Sequence, residues 1–189
     1  MARWEPGARD RLERAALELF AEQGFAETTV PQITARAGLT TRTFFRHFAD
    51  KREVLFAGED DTPALVAEAM AAAPADVRPM QLIADGLPQL AGALFEGRRE
   101  QLRNRHAVVG ADDGLRERDL RKRAALAEQI RAGFLRRGAD ELTATLAAEL
   151  AVTAMHVSLA RWLAADDERA LTAIVSETLT ALRTLAAED

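Results

Sequence analysis

The chain has 189 residues, 48% hydrophobic and 29% charged, with a formal net charge of −5, which bounds it to one globular domain or two small ones and excludes a disordered polyelectrolyte. It has no cysteine, so disulfides, thiolate metal sites and cysteine nucleophiles are excluded. Forty alanines favour helix, while two serines, three histidines and no tyrosine leave a thin stock of catalytic side chains.

No apolar segment of signal-peptide type opens the sequence. The most apolar stretch, about Leu150 to Leu163, is interrupted by His156 and Arg161. A transmembrane helix is therefore not expected, no membrane partner is expected, and the expected location is cytoplasmic. Almost every window reads at a period of 3.6, so the predicted fold class is all-α.

The first predicted helix runs from about Ala8 to Gln23, with Leu12, Ala16, Leu19 and Phe20 on one stripe and Gly24 as its left-handed cap. Thr29-Val30-Pro31-Gln32 reads as a capping box with Pro in the first turn, and it opens a short helix to about Arg36. Gly38 turns the chain, and Thr40 caps a second short helix over Thr41–His47. Asp50-Lys51-Arg52-Glu53 is a further capping box opening a fourth helix. Two short helices joined at a glycine turn and backed by a longer one form the pattern of a helix-turn-helix DNA reader. From Thr28 to Ala49 there is no Asp or Glu, while Arg36, Arg42, Arg46 and His47 fall inside that window. A phosphate-facing surface needs such a window, because a carboxylate there would repel the DNA backbone.

The segment from Thr28 to Lys51, together with the first helix, resembles the tetracycline-repressor (TetR) family of bacterial transcriptional regulators over roughly residues 8–57. The resemblance implies an N-terminal helix-turn-helix domain, residues 1–57, and a helical ligand-binding and dimerisation domain, residues 58–189. It implies that Thr29 and Lys51 sit at phosphates and that Thr41, Arg42 and Thr43 face the major groove. Phe45, Arg46 and His47 would lie against the backbone and adjacent bases, with the capping Thr40 completing the DNA-facing set. Phe44 and Phe48 would pack with Phe20 and Leu55. Two positions depart from the family pattern. Phe45 stands where a phosphate-donating Tyr is usual, so its contact should be apolar, for example to a thymine methyl. Thr34 stands where Ala is common. The Phe44-Phe45-Arg46 variant is similar to one subgroup of the family, which implies an elongated hydrophobic, acyl-coenzyme A-like effector.

The fourth helix is predicted to reach about Ala72, loosened at Gly58 and Thr62-Pro63. Pro79 to Phe95 contains Gly86, Pro88 and Gly92, and Pro88 either breaks this helix beside a cavity or starts a new surface helix. Arg98 to His106 is a basic helix, a solvated face or the holder of an anionic head group. Long helices follow at about 113–137, 140–164 and 168–187. The last carries an unbroken stripe that includes Leu171, Val175, Thr178 and Leu182; it and the helix at 140–164, with Leu142 and Leu146, are together more apolar than one small core needs, so the two are predicted to build a dimeric four-helix bundle, with a monomeric core as the alternative. The expected ligand pocket takes Gln89, Leu102, Arg103, His106, Ile130, Phe134, Met155 and Leu159, an apolar lining with three polar groups.

No nucleophile elbow, zinc-protease motif, Walker A loop or Glu-x-x-His pair is present, so neither an enzyme, a metal nor a cofactor is expected. The reading is a homodimeric, effector-responsive regulator, a repressor on a palindromic operator in double-stranded DNA, released by a small hydrophobic molecule. The alternative from another class is a helical small-molecule carrier or enzyme without DNA binding.

Overall fold

The computed structural model describes residues 7–57 and 62–187. The described residues form helices and connecting turns, with no strand. In chain order the helices are α1 (Ala8–Gln23), α2 (Val30–Ala37), α3 (Thr41–His47), α4 (Lys51–Phe56), α5 (Thr62–Ala72), α6 (Pro79–Phe95), α7 (Arg99–Gly110), α8 (Asp113–Arg136), α9 (Glu141–Ala164) and α10 (Leu171–Ala186). They divide into two compact units, residues 1–60 with 103–117, and residues 61–102 with 118–189.

The first unit holds α1 to α4 around Leu12, Phe20, Ile33, Phe44 and Phe56. The last turns of α7 and the start of α8 complete this core with Val108, Val109 and Leu115. Local chemistry sets each boundary. Gly24 (φ 85°) and Gly38 (φ 65°) take the left-handed region that stops α1 and α2. The Thr29 hydroxyl accepts the Gln32 N–H, and the Gln32 side chain accepts the Thr29 N–H at 2.8 Å, which closes the capping box of α2. Asp50 caps α4 through the N–H groups of Arg52 and Glu53. Glu53 reaches back to the Ala49 N–H rather than to Asp50.

In the second unit α10 packs on both α6 and α9, which also pack on each other. α6 is one helix through Pro88, so neither the break nor the new start considered at that residue occurs. The loosening expected at Gly58 lies outside the described residues. α10 opens at Leu171, three residues later than its pattern suggested. Its apolar stripe covers the protomer's own core. Leu171 and Val175 are 0% exposed, Thr178 is buried with its hydroxyl donating to the Ile174 carbonyl, and Leu182 is half-buried on the same core. Leu171, Val175 and Thr178 are thus engaged within the chain, and of the four residues expected at a dimer interface only Leu182 keeps surface for a partner.

α9 carries an 18-residue stretch of mean hydropathy 1.4, long and apolar enough by length and composition to cross a membrane, despite His156 and Arg161. Within the unit its inner side is small and buried: Ala144, Ala147, Ala148, Ala151, Ala154 and Ser158. Its outer side repeats Leu142, Leu146, Thr153 and Val157 at helical spacing, all exposed, with Leu142 at 68% and Leu146 at 60%.

Candidate nucleic-acid interface

α3 owes its setting to two aromatic side chains. Phe44 is fully buried and Phe48 nearly so, with ring centroids 5.4 Å apart in the core of the first unit. Burying Phe44 at this register turns Thr41, Arg42, Phe45 and Arg46 outward on one face, where all four are exposed. Thr40 ends the turn from Gly38, and its hydroxyl accepts the Thr43 N–H at 3.2 Å, so Thr40 works as the N-cap of α3. Thr43 and His47 are half-buried beside that face.

The exposed face joins one unsatisfied cation to one apolar surface. Among the described residues Arg42 has no side-chain partner, so its five donors are open to a ligand. Arg46 lies 3.5 Å from the His47 ring. Phe45 is 60% exposed, unusual for so large an apolar side chain, and stacks edge-on against Phe44. A forked donor beside an exposed aromatic ring is the equipment for reading base edges and thymine methyl groups in a major groove.

Four other cations of this unit have internal work, whereas Arg14 and Arg52 are exposed and have no side-chain partner among the described residues. Lys51 donates to the carbonyls of Phe25, Ala26 and Thr28 at 2.7, 3.0 and 2.8 Å, and its ammonium lies 4.4 Å from the Phe25 ring centroid. An ammonium has three donors, and all three are taken. Here Lys51 clamps the loop between α1 and α2, and its donors are engaged there and not held out toward a phosphate. Arg11 donates to the carbonyls of Ala37 and Gly38, fixing the turn before α3. Arg9 reaches the Ala57 carbonyl and covers the Phe48 ring. Arg36, inside the acid-free window, pairs with Glu22 through two hydrogen bonds of 2.9 and 2.8 Å and meets Glu18 at 3.5 Å. The hydrogen bond from Arg36 holds the Glu22 carboxyl below its ordinary value. Thr29 is exposed at the start of α2, with its hydroxyl and N–H both in the capping box.

Sequence patterns gave no sign of the clamps, because an arginine or lysine bound to main-chain carbonyls looks like any solvated cation. The fully buried Thr28 was also missed. Its hydroxyl donates to the Gly24 carbonyl at 2.8 Å and accepts from the Gln23 amide at 3.2 Å, tying the end of α1 to the start of α2.

The residues of the expected ligand lining fall in both units. Arg103 and His106 belong to the first unit and are exposed. Gln89, Leu102, Ile130, Phe134, Met155 and Leu159 belong to the second unit. There Ile130 and Phe134 are buried in the packed core, Leu102, Met155 and Leu159 lie partly buried against it, and Gln89 is exposed. Among the described residues no group of His, Asp or Glu could hold a metal ion.

Residues 13–57 match the sequence model of "Bacterial regulatory proteins, tetR family". The HTH-type transcriptional regulator TcmR of Streptomyces glaucescens is 38% identical over 92 residues, which is 49% of this chain and 41% of that protein. The chain thus spans about two-fifths of the length of this curated relative. Among solved structures, NalD, the secondary repressor of the MexAB-OprM multidrug efflux pump in Pseudomonas aeruginosa, is similar at a TM-score of 0.65 and 21% identity, covering 94% of this chain and 95% of its own. Thermus thermophilus FadR, a transcriptional repressor solved with lauroyl-CoA, is similar at a TM-score of 0.55 and 26% identity, covering 93% of both chains.

Proposed function

We propose that this chain, which belongs to the TetR family of bacterial regulatory proteins, is a ligand-responsive transcriptional repressor that acts in the cytoplasm as a homodimer on a palindromic DNA operator. The observation that carries the reading is the outward face of α3, where Arg42 stands unpartnered beside the exposed Phe45, on a helix fixed by the buried Phe44 and Phe48. In this reading Arg42 forks onto a guanine in the major groove, Phe45 meets a thymine methyl, and Thr41 and Thr43 contact neighbouring edges. Arg46, His47 and Thr29 approach the phosphates. Lys51 and Thr40 act indirectly, by holding the loop and the helix start.

A single reading helix covers half a palindrome, and two would sit about one DNA turn, roughly 34–36 Å, apart. The second copy belongs on the outer side of α9, where Leu142, Leu146 and Val157 form an exposed apolar row, with Leu185 of α10 also exposed. Covering such a row is the ordinary reason for a symmetric interface. A small hydrophobic effector is supported by the lauroyl-CoA complex of the similar FadR protein. Its binding would favour one spacing of the two reading heads over another.

The test is selection of bound duplexes from a random pool, followed by affinity measurements on the selected operator. Arg42→Ala should cost about 1–3 kcal/mol on that operator and relax the preference at one base pair per half-site. Equal loss on every duplex would reduce Arg42 to a phosphate contact, and no enrichment from the pool would reject the DNA-binding reading.

A further inference from the structure

The second unit carries a pit of about 550 Å³, within the range of small-molecule sites. It is formed by the first turns of α6, the first half of α9 and the end of α10. Met80, Ile83, Leu146 and Leu150 give it an apolar floor, and Arg78 and Arg183 stand among its lining residues. It shares no residue with the lining expected from the sequence.

The other polar lining groups are satisfied within the chain. The Thr143 N–H and hydroxyl both go to Asp140, at 3.0 and 2.6 Å. The Gln81 amide donates to both carboxylate oxygens of Asp85 at 2.8 Å. Arg78 and Arg183 differ: among the described residues neither side chain has a hydrogen bond or an ion pair. Both are exposed guanidinium groups with open donors. The α6 terminus adds to the same sign. No side chain caps it, and its 17 residues point the positive end of their dipole at the pit.

We propose that this pit binds an amphiphilic anion, with a carboxylate head between Arg78 and Arg183 and an aliphatic tail along Met80, Ile83 and Leu150. A guanidinium matches a carboxylate with two parallel hydrogen bonds, and two guanidinia around one head group leave no donor row for a neutral ligand to satisfy. The apolar floor then selects against small hydrated anions. The site is measured on the DNA-free protein, so it stands or falls independently of the regulator reading.

Decanoate is the probe, titrated calorimetrically into the full chain below its micellar concentration. It should saturate at one molecule per chain. Decanol, with the same tail and no charge, should bind about tenfold more weakly, and decyltrimethylammonium should not bind. Arg78→Gln and Arg183→Gln should each weaken decanoate about tenfold and leave decanol unchanged, a control that also reports an intact floor. Met80→Trp should fill the floor and abolish both. Equal affinity for decanoate and decanol, or full decanoate affinity in the double arginine variant, would overturn the site. So would absence of decanoate binding to a wild-type dimer together with binding to the Leu142→Arg monomer, which would assign the pit to the interface between two copies.

Discussion

Replacing Lys51 by Met tests whether this cation serves the fold or the DNA. The wild-type ammonium gives three hydrogen bonds of 2.7–3.0 Å to main-chain carbonyls and covers the Phe25 ring at 4.4 Å. Hydrogen bonds to a charged group contribute about 1.5–3 kcal/mol each and an exposed cation–π contact about 0.5–1 kcal/mol. They do not add in full, because the Lys51 side chain is only half-buried and water replaces part of what is lost. A net destabilisation of about 2–4 kcal/mol follows, which lowers Tm by about 5–15 °C for a chain of this size. Urea and thermal unfolding measure it. Operator affinity should be measured in parallel from low to high salt at a temperature where the variant is folded. The slope of log K against log salt should match the wild type, since no phosphate contact is removed. An unchanged Tm together with a slope shallower by about one unit would refute the clamp and return Lys51 to the phosphates.

Three further outcomes are expected. Gly38→Ala puts a Cβ 3.0 Å from the Arg11 guanidinium at a φ of 65°, so it should cost about 1–2 kcal/mol in denaturant unfolding and weaken operator binding by misplacing α3. Leu146→Arg on the outer side of α9 should give monomers by light scattering at wild-type Tm, whereas Val175→Glu, at a fully buried position, should unfold the second unit; a dimer that survives the first change would move the interface elsewhere. Asp140 caps α9, and hydrogen bonds from the Thr143 hydroxyl and N–H hold its carboxyl below the ordinary value. Asp140→Ala should lower the denaturant midpoint, a difference present in full above about pH 4 and lost as pH falls through the depressed folded value; a difference that grows on acidification would contradict the cap.

The helix-turn-helix was legible because its determinants are local. The Thr29–Gln32 box, the Gly38 turn and the Thr40 cap are written in consecutive residues, and each forms as the spacing predicts. The second unit was less legible because its determinants are not local. An apolar stripe at 3.6 spacing on α10 announces burial but does not say against what, and the stripe through Leu171 and Val175 meets α6 and α9 of the same chain. The surface that needs covering is on α9, where alanines fill the inner side so completely that the larger Leu142 and Leu146 face outward. The helix through Pro88 is a comparable case, since a proline is tolerated where the rest of the helix is held by packing, here by the buried Ile83, Leu87 and Ala91.

The acid-free window between Thr28 and Ala49 is a property of the sequence, but the electrostatic field is a property of the surface. α1 returns two carboxylates to it, and Glu18 and Glu22 bind Arg36. Lys51 and Arg11, which flank the window, are tied to carbonyls. These ties remove part of the mobile charge from the sides of the reading unit, where Arg14 and Arg52 remain unpartnered among the described residues, and the outward face of α3 keeps Arg42 and Arg46. A unit with positive charge on every side would bind any duplex in many orientations. One with fewer mobile cations away from its reading helix favours the orientation that brings that helix into the groove. In this unit the internal pairing of cations therefore serves discrimination as well as stability.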